Sequence, residues 1–238
     1  MSNAMNEFSR FAHHYDQHNM IQAEVAKRLI SGLSGNHYQT IIDLGCGSGA
    51  VYKNIQEQEI TYERFIALDS AEEMLAIHPS DKKTQKLHAD FNQQATYEHL
   101  DYHKEEATLF SASALQWSKD LDFIFTQLSS LASKAHFAIF TSGTFHTLHK
   151  TAGIKSPIYT KEELQEVIGR YYDATFTRKS YRLEFKTVRD MFRYIKKSGV
   201  SGGEKQLSYK QIKMLMEKYP LNYLEFEVLF VEATSLTK

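Results

Sequence analysis

The sequence predicts an α/β fold, a mostly parallel central sheet with helices on both faces and a small mixed cap. Three observations predict it. Short apolar strand patterns alternate with amphipathic helical patterns as far as about Thr144. One of those strands runs straight into a glycine-rich turn, Gly45-Cys46-Gly47-Ser48-Gly49. Beyond Thr144 the alternation gives way to a mixture of helices and longer strands. Strands alternating with helices are the sequence signal of a parallel sheet joined by crossover helices.

The elements follow in order. Met20 to Leu33 reads as a helix, because Ile21, Val25, Leu29 and Leu33 recur four apart on one face and Gly35 ends the run. Thr40-Ile41-Ile42-Asp43-Leu44 is a buried-strand pattern that enters the glycine turn, and a helix from about Ala50 to Gln58 leaves it. Arg64 to Asp69 is the second strand, followed by a helix from about Ala71 to Ile77 that Pro79 stops. Gln85 to Asp90 is a weaker third strand and Ala107 to Ser111 a fourth. Leu121, Ile124, Phe125, Leu128 and Leu131 line one helical face, and His136 to Phe140 is a fifth strand. Thr160 caps a helix that runs to Ile168, with Glu163 three residues on to complete a capping box. Tyr172 to Phe185 alternates like a strand, Thr187 to Lys197 and Ser208 to Lys218 read as helices, and Tyr223 to Val231 closes the list as a strand.

Composition bounds the function. The chain has 238 residues and a formal net charge of -1, which disfavours binding nucleic acid through bulk electrostatics. Cys46 is the single cysteine, so no intrachain disulfide can form, and a reducing, cytoplasmic setting is expected. No apolar run has the length of a membrane span, and neither a membrane nor a signal peptide is expected. Met1-Ser2-Asn3-Ala4 reads as an expression scar, with Met5 as the expected native start.

The stretch Asp43-Leu44-Gly45-Cys46-Gly47-Ser48-Gly49 carries most of the chemistry. Alternate glycines let the backbone turn tightly and let a ligand approach it. The turn opens a helix, whose first N–H groups face outward. A dinucleotide site spaces its glycines differently, and here an acidic residue, Asp43, precedes them. That anion would repel a phosphate but suits a cationic amino group. Asp69 ends the next strand about 20 residues on, where a carboxylate can accept both ribose hydroxyls. Ser70 and Met74 follow it, and Ser111 ends the fourth strand on the same edge. Asp90-Phe91 can bracket an adenine, with Asp90 accepting from the exocyclic amine and Phe91 as an apolar wall; a turn or a helix cap is the plainer reading of Asp90. Cys46 reads as a small filler, with no His or second Cys beside it in sequence. The combined pattern points to a nucleoside-type cofactor.

These motifs resemble those of class I S-adenosylmethionine-dependent methyltransferases, which have a Rossmann-like fold. Within them the chain resembles the malonyl-acyl-carrier-protein O-methyltransferases of biotin synthesis. Phe8-Ser9-Arg10-Phe11-Ala12-His13-His14-Tyr15-Asp16-Gln17-His18, Ser111-Ala112-Ser113-Ala114-Leu115-Gln116-Trp117, Phe140-Thr141 and Tyr219-Pro220-Leu221-Asn222-Tyr223 carry that likeness, from about Phe8 to Ala233. The polar region from Asn92 to Glu106 and the loop Ser198 to Gly203 depart from the pattern.

The resemblance implies S-adenosylmethionine as cofactor, S-adenosylhomocysteine as product, and Asp43, Gly45, Cys46, Gly47, Gly49, Asp69, Ser70, Met74, Asp90, Phe91 and Ser111 at the cofactor. It implies that Tyr15 closes over the cofactor from an N-terminal lid. Read alone, Tyr15 beside His13, His14 and His18 also suggests a metal cluster, but no spacing completes a known site and no metal is expected. The implied reaction moves a methyl group to the free carboxylate of a malonyl thioester on acyl carrier protein. A carboxylate with a pKa near about 4 is ionised at neutral pH and needs no general base, so no catalytic side chain is expected. Holding oxygen, methyl carbon and sulfur in line at roughly 3 Å is the task. Gln116 and Trp117 are the expected substrate-side residues, although a buried core aromatic is the plain reading of Trp117. Arg178, Arg182, Arg189 and Arg193 are candidates to meet the acceptor carboxylate. Arg189, Arg193, Lys196 and Lys197 fall at helical spacing and suit an acidic carrier protein, or form a solvated face. Two other readings stay open: a methyltransferase for another small carboxylic acid or a hydroxylated metabolite, and a non-catalytic cofactor-binding partner protein. We expect one domain over 5–238, comprising a lid and helix (5–35), a cofactor-binding core (36–145) and a C-terminal part with the substrate cap (146–238), with 1–4 as scar.

Overall fold

A computed structural model describes residues 19–98, 104–197 and 209–236. In chain order the main elements are α1 (Met20–Ser31), β1 (His37–Leu44), α2 (Ala50–Glu57), β2 (Thr61–Asp69), α3 (Glu72–Ile77), β3 (Thr84–His88), β4 (Ala107–Ala112), α4 (Leu121–Leu131) and β5 (Lys134–Phe140). They continue with α5 (His146–Ala152), α6 (Lys161–Tyr171), β6 (Tyr172–Glu184), α7 (Val188–Lys197), α8 (Tyr209–Lys218) and β7 (Tyr223–Ser235). The strands form one seven-stranded sheet in the order β3-β2-β1-β4-β5-β7-β6. The first five run parallel, and β7 pairs antiparallel with both β5 and β6.

The alternation of strand residues divides the core in two. Ile41, Phe65 and Phe110 face one side, packed with Val25 and Leu29 of α1 and Val51 and Ile55 of α2. Their neighbours Ile42, Ile66 and Leu109 face the other, packed with Ile124, Phe125 and Leu128 of α4 and Leu164 and Ile168 of α6. Successive strand side chains point to opposite faces, so a strand apolar at every position must be covered on both. Strand β1 shows this, with Thr40 to Leu44 all buried.

The C-terminal third differs from the expected cap in one respect. Strands β6 and β7, 13 residues each, complete the central sheet. Among the described residues, helices pack against it, with Leu148 of α5, Met191 and Tyr194 of α7 and Leu215 of α8 buried in the same cluster as Phe226 of β7. Helix α5 escapes the sequence pattern because Leu148 is its single buried residue. The capping box of α6 forms as expected: Thr160 accepts from the Glu163 N–H, and Glu163 accepts from the Thr160 N–H at 2.7 Å. No helix among the described residues is long and apolar enough to cross a membrane.

Candidate functional site

The carboxyl ends of β1, β2 and β4 lie side by side, and a cavity of about 540 Å³ opens over them. This is the edge where open α/β sheets bind ligands, and the size suits a nucleoside-sized molecule. Gly45, Cys46, Gly47, Asp69, Ser70, Met74, Asp90, Phe91 and Trp117, all expected from sequence, line it.

The glycine turn is built from three left-handed residues, with φ of 71°, 53° and 85° at Gly45, Gly47 and Gly49. Each is glycine for a different reason. A Cβ on Gly45 would run into Ala114 Cβ, so the turn after β4 packs directly on this loop. A Cβ on Gly49 would meet Pro79 Cδ at 2.8 Å. A Cβ on Gly47 meets no protein atom within 4 Å. Since Gly47 lines the cavity, that space is a cradle a methyl group would fill.

Asp69 fastens this loop to β2. Its Oδ2 accepts from the Gly47 N–H at 2.8 Å and its Oδ1 from the Ala71 N–H at 2.9 Å. Each oxygen keeps a lone pair for a further donor, which fits a vicinal diol such as ribose. Burial pushes the Asp69 carboxyl upward, and the N–H groups of Ala71 and Gly47 oppose that shift. The open cradle at Gly47 and the oriented Asp69 carboxylate are what an adenosyl cofactor requires.

Asp43, expected at the cofactor, sits one layer behind the surface. It is 1% exposed, is absent from the described cavity wall, and neither carboxylate oxygen has a partner. Burial raises its pKa well above the ordinary carboxylate range, and the nearby Asp69 raises it further. Cys46 reaches the wall but is buried, and burial pushes its thiol well up. A neutral thiol is a packing group rather than a nucleophile. Ser111 is fully buried, and its hydroxyl donates to the Leu44 carbonyl at 2.8 Å, tying β4 to β1 beneath the loop. Gly49 likewise lies outside the described wall.

Strand β3 ends at His88, two residues before Asp90. Asp90 therefore lies in a turn, where its Oδ1 accepts from the Asn92 N–H at 2.9 Å and from Asn92 Nδ2 at 3.0 Å. Phe91, next to it, is buried against the cavity.

On the β4 side the wall is Ala112, Ser113, Ala114 and Trp117. Gln116 is 5% exposed and lies behind it, its Nε2 donating to the Ser113 carbonyl at 2.6 Å. The wall also holds residues the sequence reading did not place at the site, among them Asn19, Met20, Glu24, Glu57, Asn92 and Ser113. The legible sign for the helix was Met20, a large apolar residue off the buried face of α1 and 55% exposed.

None of the four candidate arginines lines the described wall. Arg178 pairs with Glu227 at 3.3 Å, Arg182 lies over the Tyr223 ring, and Arg193 pairs with Asp190 at 2.7 Å. Arg189 is exposed. Tyr15, His13, His14 and His18, the loop from 198 to 203, and the side chains of Lys196 and Lys197 lie outside the described residues.

Residues 41–150 match the family described as a methyltransferase domain. The chain is 26% identical over 220 residues to the malonyl-[acyl-carrier protein] O-methyltransferase of Calditerrivibrio nitroreducens, covering 86% of this chain and 82% of that one. It is 27% identical to the enzyme of the same name from Bacillus cytotoxicus, covering 82% and 74%. Among solved structures, the YcgJ protein of Bacillus subtilis superposes with a TM-score of 0.62 at 9% identity, covering 89% of this chain and 98% of that one. Phosphoethanolamine N-methyltransferase 2 of Haemonchus contortus, solved with S-adenosylhomocysteine, superposes with a TM-score of 0.54 at 13% identity, covering 90% and 52%. At these identities the structural likeness speaks to the fold.

Proposed function

We propose that this chain, a class I S-adenosylmethionine-dependent O-methyltransferase, methylates the free carboxylate of a malonyl thioester carried on acyl carrier protein, as a step toward biotin. The activity is assigned to one domain spanning 5–238. The observation that carries the reading is the chemistry of the β4-side wall. Its described residues, Ala112, Ser113, Ala114 and Trp117, bring no acid or base to that side of the cavity, whereas Glu24 and Glu57 lie on the α1 and α2 side. An acceptor that is already an anion suits that wall. A hydroxyl or an ammonium would have to shed a proton there, which calls for a base.

When bound, the cofactor supplies a methyl group activated by a positively charged sulfur. The residues that would hold it are Gly45 and Gly47 at its amino-acid end, Asp69 at its ribose, and Phe91 and Met74 beside its base. Asp43 acts through the loop rather than by contact, keeping a negative charge or its proton behind the cationic centre. The chain's remaining tasks are orientation and exclusion of water. Both raise the reactivity of a carboxylate, which water solvates strongly. The names of the relatives from Calditerrivibrio nitroreducens and Bacillus cytotoxicus support the malonyl carrier as acceptor, and a matching stretch of a biotin biosynthesis bifunctional protein from Teredinibacter turnerae supports the pathway.

Complementation tests this. A bacterium deleted for its own malonyl-carrier methyltransferase should grow without biotin when it expresses this chain, and should not when it expresses the Asp69→Asn variant. Failure of the wild-type chain, expressed and able to bind S-adenosylhomocysteine, would remove the biotin assignment.

A further inference from the structure

The turn from Ser113 to Trp117 concentrates costs that the fold does not need. Ser113 has φ of 66°, in the left-handed region, although it is not glycine. Within these five residues three buried polar atoms have no hydrogen-bond partner: Ser113 Oγ, Gln116 Oε1 and Trp117 Nε1. Buried polar atoms are nearly always paired, and those that are not call for an explanation. Residues held in strained conformations cluster where ligands are gripped.

Poor local order does not explain the turn, because its backbone is fastened at every side. The Ser113 N–H donates to the Ala138 carbonyl at 2.8 Å, and the Trp117 N–H to the Ala114 carbonyl at 3.0 Å. The Ser113 carbonyl accepts from Gln116 Nε2. Lys119, just beyond, donates its N–H to Asn92 Oδ1 at 2.8 Å. Ala114 packs on Gly45, which sets the turn against the glycine loop. Ser113 and Trp117 thus belong to a rigid wall of the cavity, and their unpaired atoms, a hydroxyl and an indole N–H, can donate; Gln116 lies behind that wall.

We propose that Ser113 and Trp117 form the acceptor subsite and select a carboxylate, with the Ser113 hydroxyl and the Trp117 indole N–H donating to its oxygens. Gln116 is a positioning residue that holds the Ser113 carbonyl. This deepens the function proposed above and rests on it. The subsite uses neutral donors in place of an arginine. A carboxylate held by two neutral donors keeps more of its negative charge available for attack than one paired with a guanidinium. The attacking oxygen forms its bond to the methyl carbon as the carbon–sulfur bond breaks with its electron pair on sulfur, and no proton moves. The donors that select the acid release the methyl ester, because esterification removes the charge they recognise.

Binding to protein saturated with S-adenosylhomocysteine tests this. Calorimetry compares a malonyl thioester with its methyl ester on the wild type, Ser113→Ala and Trp117→Phe. The wild type should prefer the acid, and each substitution should cut that preference about tenfold or more, the size of a hydrogen bond to a charged group. Affinity for S-adenosylhomocysteine should stay within about twofold, which reports that the fold and cofactor loop are intact. In turnover the loss should fall mainly on KM for the acceptor. Unchanged acid preference in both variants, with wild-type turnover present, would overturn this proposal and leave the function standing. Absence of any acceptor turnover by the wild type would overturn the function and this subsite together.

Discussion

Gly45 and Gly47 are two residues apart and both left-handed, yet alanine at each should act differently. At Gly47 the added Cβ meets no protein atom, so the cost is backbone strain of about 1 kcal/mol. The methyl group would occupy the cavity instead, and affinity for S-adenosylhomocysteine should fall at least tenfold. At Gly45 the Cβ runs into Ala114 as well as suffering the strain, and the fold should lose about 2 to 4 kcal/mol. Chemical denaturation and calorimetry on the two variants separate these outcomes; equal losses of stability would contradict the geometry. The glycines and Asp69 were legible in the sequence because their task is set by local spacing: a strand, a turn, then an acid at the next strand end. Ser111, Gln116 and Asp43 were legible as neighbours of the site but not as residues behind its wall. Which way they face depends on β4, the following turn and the loop stacking against one another. Ser113 was missed because a left-handed serine leaves no mark in composition.

At the scale of elements, the link from α3 to β3 is held by His78, which is 2% exposed. Its Nδ1 donates to the Pro79 carbonyl at 2.5 Å, and Nε2 is buried without a partner beside Tyr52 and Phe65. Burial pushes its pKa down to about 4, with Lys86 and Lys53 acting the same way. The unfolded chain takes up this proton near pH 6.5 and the folded chain only near 4. Stability from this group is therefore complete above pH 6.5 and is lost as the pH falls toward 4, by about 3 kcal/mol in full. Asp43 and Asp69 act with the opposite sign, since raised carboxyl values add stability as the pH falls. The clean measurement is thus a difference: between pH 6.5 and 4.5, His78→Phe should lose less stability than the wild type. Parallel curves would show that His78 titrates normally. The sequence placed most elements because apolar runs and breakers such as Pro79 are local. It shortened β7 and ended β3 late. An edge strand with only partial burial, such as β3, carries little periodic contrast. The antiparallel return of β7 beside β5 is a pairing between distant segments that no local pattern encodes.

At the scale of the whole molecule, the proposed cofactor role of Asp69, which joins the glycine loop to β2, would link cofactor binding to folding. A ligand at 100 times its Kd stabilises the folded state by about 2.7 kcal/mol. For a chain of this size that raises Tm by roughly 5 to 10 °C. S-adenosylhomocysteine should produce that shift in the wild type and little of it in Asp69→Asn at the same concentration, as read by thermal melting. Equal shifts would move the cofactor away from Asp69. The acceptor chemistry is tested most directly by a single transfer measurement. S-adenosylmethionine labelled in its methyl group is incubated with the protein and malonyl-acyl carrier protein, with the unloaded carrier beside it, and the product is treated with mild base. The expected result is label on the malonyl carrier alone, released by base as methanol, the behaviour of a carboxylate ester. Label that resists base would contradict methylation of a carboxylate, and label that appears equally on the unloaded carrier would contradict the malonyl carboxylate as acceptor.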